Sequence, residues 1–268
     1  MTKRFLTFLA GLTGLLLGIL PAQAALVMPS FDNAPVGWVT DRYDPHSFGD
    51  IGTYQGRNDV LAIGISEADG LSNRPAAYQS TFYNTQGQQH AISGGAGSVL
   101  SAALWIPEEW ANTQNGHVRT DMWGVMTNGS AVTDYPIIGF TNYGDGGARL
   151  RIWEGLAWVD LGVAIDYDAW TDLSISFTGS AYEYRVNGVV KYTDNTINGS
   201  TGFSATIMQA YNFCGDTSIA GAKCQDYTAH WSNTVTSSVP TPASLSLAAL
   251  ALFALGGTAR RSGRRSNK

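Results

Sequence analysis

Apolar and polar residues alternate along much of this chain with the two-residue period of a half-buried β-strand. The clearest case runs from position 170 to 191, where apolar side chains between 173 and 177 alternate with serine. A second alternating stretch, 182–186, leads into Asn187 and Gly188, a pair that favours the type I′ turn of a tight hairpin. The pattern predicts a three-stranded antiparallel meander whose apolar face needs a second layer to cover it.

Short apolar segments recur at regular spacing through the rest of the chain, and no stretch between positions 25 and 239 has the period of a long helix. One helical turn is expected at 107–110, since proline suits the first helical position. The pattern therefore predicts an all-β protein, a two-sheet antiparallel jelly-roll sandwich. The further predicted strands are 38–39, 59–66, 77–83, 98–106, 118–126, 136–141, 148–153, 157–163, 202–210 and 226–233.

The first 24 residues are typical of a secretory signal peptide that would form an N-terminal helix. Lys3 and Arg4 precede a long apolar run, and an Ala-x-Ala motif predicts cleavage between Ala24 and Ala25. An uncleaved N-terminal anchor is the alternative, because the apolar run is long. Either way the domain predicted at 25–233 is expected outside the cytoplasm.

The composition changes again after position 233. A linker at 234–242 precedes an apolar segment, 243–259, which is just long enough for a transmembrane helix. A basic end, 260–268, follows it and is expected to stay in the cytoplasm.

This arrangement resembles the PEP-CTERM sorting tail of Gram-negative bacteria, with a Val-Pro-x-Pro motif, one transmembrane helix and terminal arginines. Thr241 stands where the commonest form of the motif has glutamate. The resemblance implies an exosortase-like membrane protease as partner, transient anchoring in the inner membrane, and delivery to the cell envelope or the medium. An ordinary C-terminal anchor is the alternative. The residues that carry the resemblance are Val239, Pro240, Thr241, Pro242, Arg260 and Arg261.

The net charge of −5 hides a more acidic middle, because seven of the 16 Lys and Arg lie in the two terminal segments and all 21 Asp and Glu lie between them. A domain of this charge lacks the basic surface of a nucleic-acid binder. Cys214 and Cys224 are the only cysteines, and in an exported chain their spacing predicts a local disulfide.

Three segments, 155–161, 170–177 and 182–188, resemble the meander of concanavalin A-like (laminin G-like) jelly rolls. The resemblance implies this fold only, since such domains include both enzymes and binding modules. Many of them bind calcium on loops, which makes Asp145 in a glycine-rich loop a weak metal candidate. A single carboxylate supplies too few of the 6–8 oxygen ligands that calcium takes, so no cofactor is predicted.

Exposed aromatic rings on a concave sheet are the expected feature of a carbohydrate site. The candidates are Trp123, Tyr143, Trp153 and Trp158. No Glu-x-Asp-x-x-Glu strand motif and no nucleophile elbow occurs, and no catalytic residue is predicted. The sequence thus favours a non-catalytic surface or extracellular-matrix protein that binds glycans, such as extracellular polysaccharide, or other matrix components, and it leans away from an enzyme. A polysaccharide lyase or glycoside hydrolase with an atypical site, and a purely structural matrix protein, are the alternatives.

Overall fold

A computed structural model describes residues 25–234 of the chain. The predicted signal peptide, the sorting motif and the apolar C-terminal segment lie outside the described residues. Within 25–234 the protein is an all-β sandwich of two sheets, which confirms the predicted all-β, two-sheet antiparallel architecture. No helix in this part of the chain combines the length and the hydropathy that crossing a membrane requires.

The described residues form short strands in chain order, joined by turns and four one-turn 3-10 helices. The helices are Glu67–Asp69, Ala76–Tyr78, Thr81–Asn84 and Glu108–Ala111, the last at the predicted helical turn. The strands are β1 (Ala25–Leu26), β2 (Trp38–Thr40), β3 (Ser47–Asp50), β4 (Val60–Ile65), β5 (Thr85–Gly94), β6 (Ser98–Ile106), β7 (Arg119–Thr127), β8 (Val132–Asp134), β9 (Ile137–Thr141), β10 (Arg149–Trp153), β11 (Trp158–Asp160), β12 (Ala169–Phe177), β13 (Tyr182–Val186), β14 (Val189–Asp194), β15 (Gly202–Tyr211) and β16 (Tyr227–Ser232).

Each sheet contains eight of these strands. The first has the order β14-β13-β12-β6-β16-β4-β3, with β1 paired in parallel to β6. The second has the order β11-β10-β9-β7-β15-β5-β2, with β8 paired to β7. Apart from β1, neighbouring strands are antiparallel, and strands that adjoin in space are often far apart in sequence.

The core lies between the sheets and is filled by alternate residues of the long central strands. Leu100 and Ile175 come from the first sheet, and Met122 and Met208 from the second. Trp231 is fully buried at the same interface. Its indole nitrogen donates to Thr120 Oγ1 at 2.9 Å, and Tyr227 Oη donates to Arg119 O at 2.8 Å, so side-chain hydrogen bonds join the two layers.

The predicted meander is confirmed as β12, β13 and β14. Leu173 pairs with Val186 in register, and the chain then turns through Asn187 and Gly188 at positive φ, 49° and 77°. The type I′ turn requires these two backbone conformations, which asparagine and glycine adopt more readily than other residues.

The predicted strand at 77–83 is wrong, because this stretch forms two 3-10 turns. The Ser80 hydroxyl accepts from the Phe82 amide and caps the second turn. The strand in this region is β5, whose glutamines do not show the apolar alternation of a typical strand. Gln86 is nevertheless fully buried, and its amide donates to Asp69 O at 3.1 Å. β5 is therefore held by its pairing with β15 and β2 together with side-chain hydrogen bonds, and no apolar alternation marks it in the sequence.

Candidate functional site

The outer face of the second sheet, which points away from the core, carries two rows of side chains across the strands. In antiparallel sheets residues directly opposite each other point to the same side. Met122 and Met208 face the core, so the residues that alternate with them on β7 and β15 face outward.

The first row is apolar and contains three of the four aromatic candidates. Its members pair in register across five strands. We call this set the aromatic row: Ile207, Trp123, Ile137, Trp153 and Trp158. The rings of Trp153 and Trp158 lie 5.4 Å apart and remain half-buried, whereas Trp123 is 6% exposed.

The second row is polar and lies two residues further along each strand, on the same face of the sheet. Its members also pair in register, from the centre of the sheet to the edge strand. We call this set the polar row: Gln209, Asp121, Gly139, Arg151 and Asp160. Gly87 of β5 lies directly opposite Gln209, on the side away from Asp121.

Asp121 is the centre of the polar row. Its Oδ2 accepts from Gln209 Nε2 at 2.5 Å and from Arg119 Nε at 2.6 Å. Asp121 and Gln209 are fully buried, yet Asp121 Oδ1 and Gln209 Oε1 have no hydrogen-bond partner. Buried polar atoms normally find partners, so two unpaired acceptors side by side indicate a place for a ligand or an ordered water.

Two glycines provide the space that these side chains occupy. A Cβ at Gly139 would lie 2.3 Å from Asp121 Oδ1, and a Cβ at Gly87 would lie 2.5 Å from Gln209 Cβ. Both distances are below van der Waals contact. The carboxylate of Asp121 therefore lies over the bare backbone of β9, toward Arg151 on the next strand.

Arg151 is 1% exposed, and its Cζ lies 3.8 Å from the ring centre of Trp158. Its Nε and Nη2 have no hydrogen-bond partner. Burial, with a smaller contribution from the like charge of Arg119, lowers the pKa of Arg151 to about 10, and Asp121 partly opposes this. A buried guanidinium without a carboxylate partner is costly, which is a second sign of a functional surface.

The chain that leaves β2 forms the rim at the opposite end of the polar row. The Asp41 amide donates to Gly87 O at 3.1 Å, which places Asp41 beside Gly87. Burial raises the pKa of the Asp41 carboxyl, and the nearby Arg42 guanidinium opposes this only in part. Arg42 Nε lies 3.4 Å from Asp41 Oδ2, and its Cζ lies 5.1 Å from the Trp123 ring centre. A second carboxyl group thus reaches the same face.

A pocket of about 540 Å³ adjoins this rim. Arg42 belongs both to the pocket and to the outer face, so the two are neighbours. His46 Nδ1 lies 3.0 Å from Asp69 Oδ2 at the pocket wall. The other lining residues are Thr40, Tyr43, Asp44, Pro45, Pro75 and Tyr78.

The predicted disulfide between Cys214 and Cys224 is confirmed, and its loop supports the site from behind. Tyr211 donates to Asp216 Oδ2 at 2.6 Å, while Arg119 Cζ lies 5.2 Å from the Tyr211 ring centre. Burial, with help from this hydrogen bond, raises the pKa of Tyr211 to about 12. Tyr211 therefore stays neutral, and its ring packs against Arg119 on the same face.

The structure brings the four aromatic candidates close together. Trp123, Trp153 and Trp158 share the aromatic row, and Tyr143 lies in the loop after β9 with its ring centre 5.4 Å from Arg151 Cζ. Asp145 lies in an exposed loop. Within residues 25–234 no group of three or more His, Cys, Asp or Glu could hold a metal ion.

The sequence analysis missed the polar residues of this face, namely Asp41, Asp121, Arg151 and Gln209. One usable signal existed in β7, where Arg119, Asp121 and Trp123 alternate with residues that face the core. Two charges at period two in a strand that is otherwise apolar are unusual in a core. The residues that share this face with Asp121 come from strands distant in sequence, so no local sequence pattern could link them.

Several solved structures are similar to this chain. The Bacillus licheniformis β-glucanase is 13% identical, with 78% of this chain and 97% of that chain covered and a TM-score of 0.44. A prokaryotic β-1,3-1,4-glucanase (lichenase) from a mouse hindgut metagenome is 13% identical, with 76% and 95% covered and a TM-score of 0.45. A native glycosidic hydrolase is 12% identical, with 76% and 91% covered and a TM-score of 0.45. No protein-family model and no curated protein matches.

This likeness agrees with the concanavalin A-like resemblance at the level of the fold and goes no further. The sequence-based lean away from an enzyme is corrected only so far as to leave the question open, because three of these structures are named as glucanases or a glycosidic hydrolase. At this identity and TM-score they assign no activity to this chain. Any catalytic activity has to be inferred from the side chains of this protein.

Replacing Gly139 with alanine should disturb the polar row. The new Cβ would lie 2.3 Å from both Asp121 Oδ1 and the backbone oxygen of Thr120, so Asp121 has to move. We expect the free energy of unfolding in urea to fall by about 1–3 kcal/mol. Gly95→Ala is the matched control, because its nearest neighbour is Thr201 O at 3.8 Å. Equal stability of the two variants would contradict a tightly packed row.

Proposed function

We propose that this chain is an exported glycan-cleaving protein that holds a sugar chain across the outer face of the second sheet and hydrolyses it beside Asp121. The observation that carries this proposal is a group of buried donors and acceptors without partners, beside the aromatic row of one face. A ligand reaches them when the side chains that cover them move aside. Asp121 Oδ1 and Gln209 Oε1 are acceptors, and Arg151 Nε and Nη2 are donors.

A ligand that satisfies such a surface has to donate and accept hydrogen bonds. A metal ion would serve only the acceptors, and a simple anion would serve only the donors. Sugar hydroxyls do both, since each has one donor and two acceptor positions. A hydroxyl over Gly139 would donate to Asp121 Oδ1 and accept from Arg151.

The aromatic row supports the same class of ligand. Sugar rings have apolar faces that pack on indole rings, while their hydroxyl edges need polar partners. Trp153 and Trp158 are half-buried, so each keeps some surface in contact with solvent. The parallel aromatic and polar rows therefore suit the two surfaces of a sugar chain.

Two carboxyl groups are available for hydrolysis, and their surroundings differ. Asp121 accepts from Arg119 and Gln209, whereas burial raises the pKa of Asp41. Pairs of carboxyl groups in contrasting environments divide the roles of base and acid. Asp41 and Asp121 are separated by three strand spacings, about 14 Å between Cα atoms. The Asp121 carboxylate lies over Gly139, on the side of β7 away from Asp41. Asp41 therefore has to move over Gln209 before the two carboxyl groups reach the separation of inverting enzymes, about 6.5–9.5 Å.

In the proposed reaction Asp41 donates its proton to the glycosidic oxygen as the bond from that oxygen to the anomeric carbon breaks. Asp121 Oδ1 takes a proton from the water that attacks the anomeric carbon on the opposite side. Gln209 Oε1 accepts the other hydrogen of this water and so orients it. Asp121 Oδ2 stays fixed by Arg119 and Gln209, which leaves Oδ1 as the reacting oxygen.

Asp121→Asn should abolish cleavage and largely preserve binding, because the amide keeps the shape of the side chain and loses the base. We expect the rate of reducing-end release from soluble polysaccharides to fall by at least about a hundredfold. Affinity electrophoresis in the same polysaccharides should change by only a few-fold. Asp145→Asn, at an exposed position in the loop between β9 and β10, is the control. Turnover that survives Asp121→Asn, or wild-type binding without turnover on any substrate bound, would refute the proposal.

The pH dependence should report the acid role of Asp41. The carboxyl acts as an acid only while protonated, so kcat/KM should fall as pH rises through its pKa. Because burial raises that pKa, the fall should lie above the ordinary aspartate value of about 3.9. In Asp41→Asn the fall of kcat/KM with rising pH should disappear. In Asp44→Asn, a change at an exposed neighbouring residue, the fall should remain. An unchanged fall in Asp41→Asn would exclude the role.

The cellular localisation remains a proposal that rests on the sequence of the two terminal segments. We propose export through the signal peptide, recognition of the Val239–Pro242 motif by an exosortase-like protease, and delivery to the envelope of a Gram-negative bacterium. Deletion of residues 239–268 should release the protein from the envelope fraction into the medium, as measured by immunoblotting of fractions. Replacing only residues 264–268 with an equally basic sequence is the control. Unchanged fractionation after the deletion would contradict sorting by this tail.

A further inference from the structure

The arginines on the outer face of the second sheet differ in how their charge is balanced. Arg42 pairs with Asp41 at 3.4 Å, Arg119 with Asp121 at 2.6 Å, and Arg149 with Asp160 at 2.9 Å. Arg151 forms no ion pair with any residue in the described part of the chain, although it is the most deeply buried of the four.

The two unpaired nitrogens of Arg151, Nε and Nη2, lie on the same edge of the guanidinium plane. This edge is the one that receives a carboxylate or a sulfate through two parallel hydrogen bonds. Nearby Asp121 already accepts two hydrogen bonds at Oδ2 and forms none with Arg151. The protein thus provides a desolvated cationic fork and no anion to fill it.

The side chain that lies over the Arg151 guanidinium, Trp158, comes from a short edge strand. Trp158 stacks on Arg151 and lies in β11, which has three residues and pairs only with β10. The preceding turn contains Gly155 at a φ of 92° and Leu156, which is 91% exposed. Access to the fork requires Trp158 to move away from Arg151, with loss of its contacts to Trp153 and Arg119.

We propose that Arg151 binds an anionic substituent of the glycan, so that the substrate is an acidic polysaccharide bearing carboxylate or sulfate groups. This inference rests on the proposed function and adds the substrate class. A neutral hydroxyl would fill one of the two donor positions and leave the charge uncompensated. An anion fills both and removes the cost of the buried charge.

The neighbouring Arg149 provides a matched control on the same strand and the same face. Its guanidinium donates to Asp160 Oδ1 at 2.9 Å, Tyr143 O at 2.8 Å and Gly147 O at 2.7 Å. Replacing Arg149 removes one positive charge two residues away without removing an open anion fork. A general electrostatic effect of the face would therefore appear in both variants.

The experiment measures binding of the full-length protein to two pairs of polymers. One pair is a polyuronate and its carboxyl-reduced form, and the other is a sulfated galactan and its desulfated form. The wild type should bind one acidic polymer at least about tenfold more tightly than its neutral counterpart, with the preference weakening as salt rises. The pair that shows the preference identifies the anion.

Arg151→Gln should lower affinity for the acidic polymer by about tenfold to a hundredfold, the usual range for a hydrogen bond to a charged group. Affinity for the neutral polymer should stay within about twofold. Arg151→Lys should fall between the wild type and Arg151→Gln, because lysine keeps the charge and lacks the fork. Arg149→Gln should keep the wild-type preference. Urea unfolding of each variant shows that it is folded.

Equal losses for acidic and neutral polymers in Arg151→Gln would overturn the inference and make Arg151 a positioning residue for Asp121. The same holds if the folded wild type shows no preference, or if Arg149→Gln loses the preference equally. In these cases binding and cleavage of neutral polymer would leave the proposed function standing. Failure of the wild type to bind any polymer would instead refute the proposed function.

Discussion

The alternation of side chains along β7 and β15 is the constraint on which the rest of this structure depends. Filling the core with Met122 and Met208 forces the residues between them to the outer face. Asp121 and Gln209 are therefore placed side by side by the same register that packs the core. A shift of one residue in either strand would exchange the two faces and lose both the core and the polar row.

The outer face also shows how a β-sheet holds polar groups without backbone distortion. Gly87 and Gly139 remove side chains on either side of Gln209 and Asp121, and the bare backbone leaves room for both. The loop closed by the disulfide contains Asp216, which accepts a hydrogen bond from Tyr211, and the Tyr211 ring packs beside Arg119. Stability and site geometry are coupled here, because the same contacts serve both.

The positive charges on this face are balanced at every arginine except one. Arg42, Arg119 and Arg149 each have a carboxylate partner, whereas Arg151 has none within the described residues. A buried guanidinium without an ion-pair partner lowers the free energy of unfolding. A purely structural protein gains nothing from such a group. The cost is understandable if a ligand supplies the missing partner, and the adjoining tryptophans favour a sugar as that ligand.

The sequence by itself determined the all-β class, the meander with its Asn187-Gly188 turn and the disulfide, because alternation, turn chemistry and cysteine spacing are local signals. It also pointed to three tryptophans that prove to share one row. Only the tertiary structure decided that 77–83 is not a strand, that β5 is, and that Asp41, Gln209, Asp121 and Arg151 share one face. These residues come from strands far apart in the chain, and their register is set by the packing of the whole sandwich.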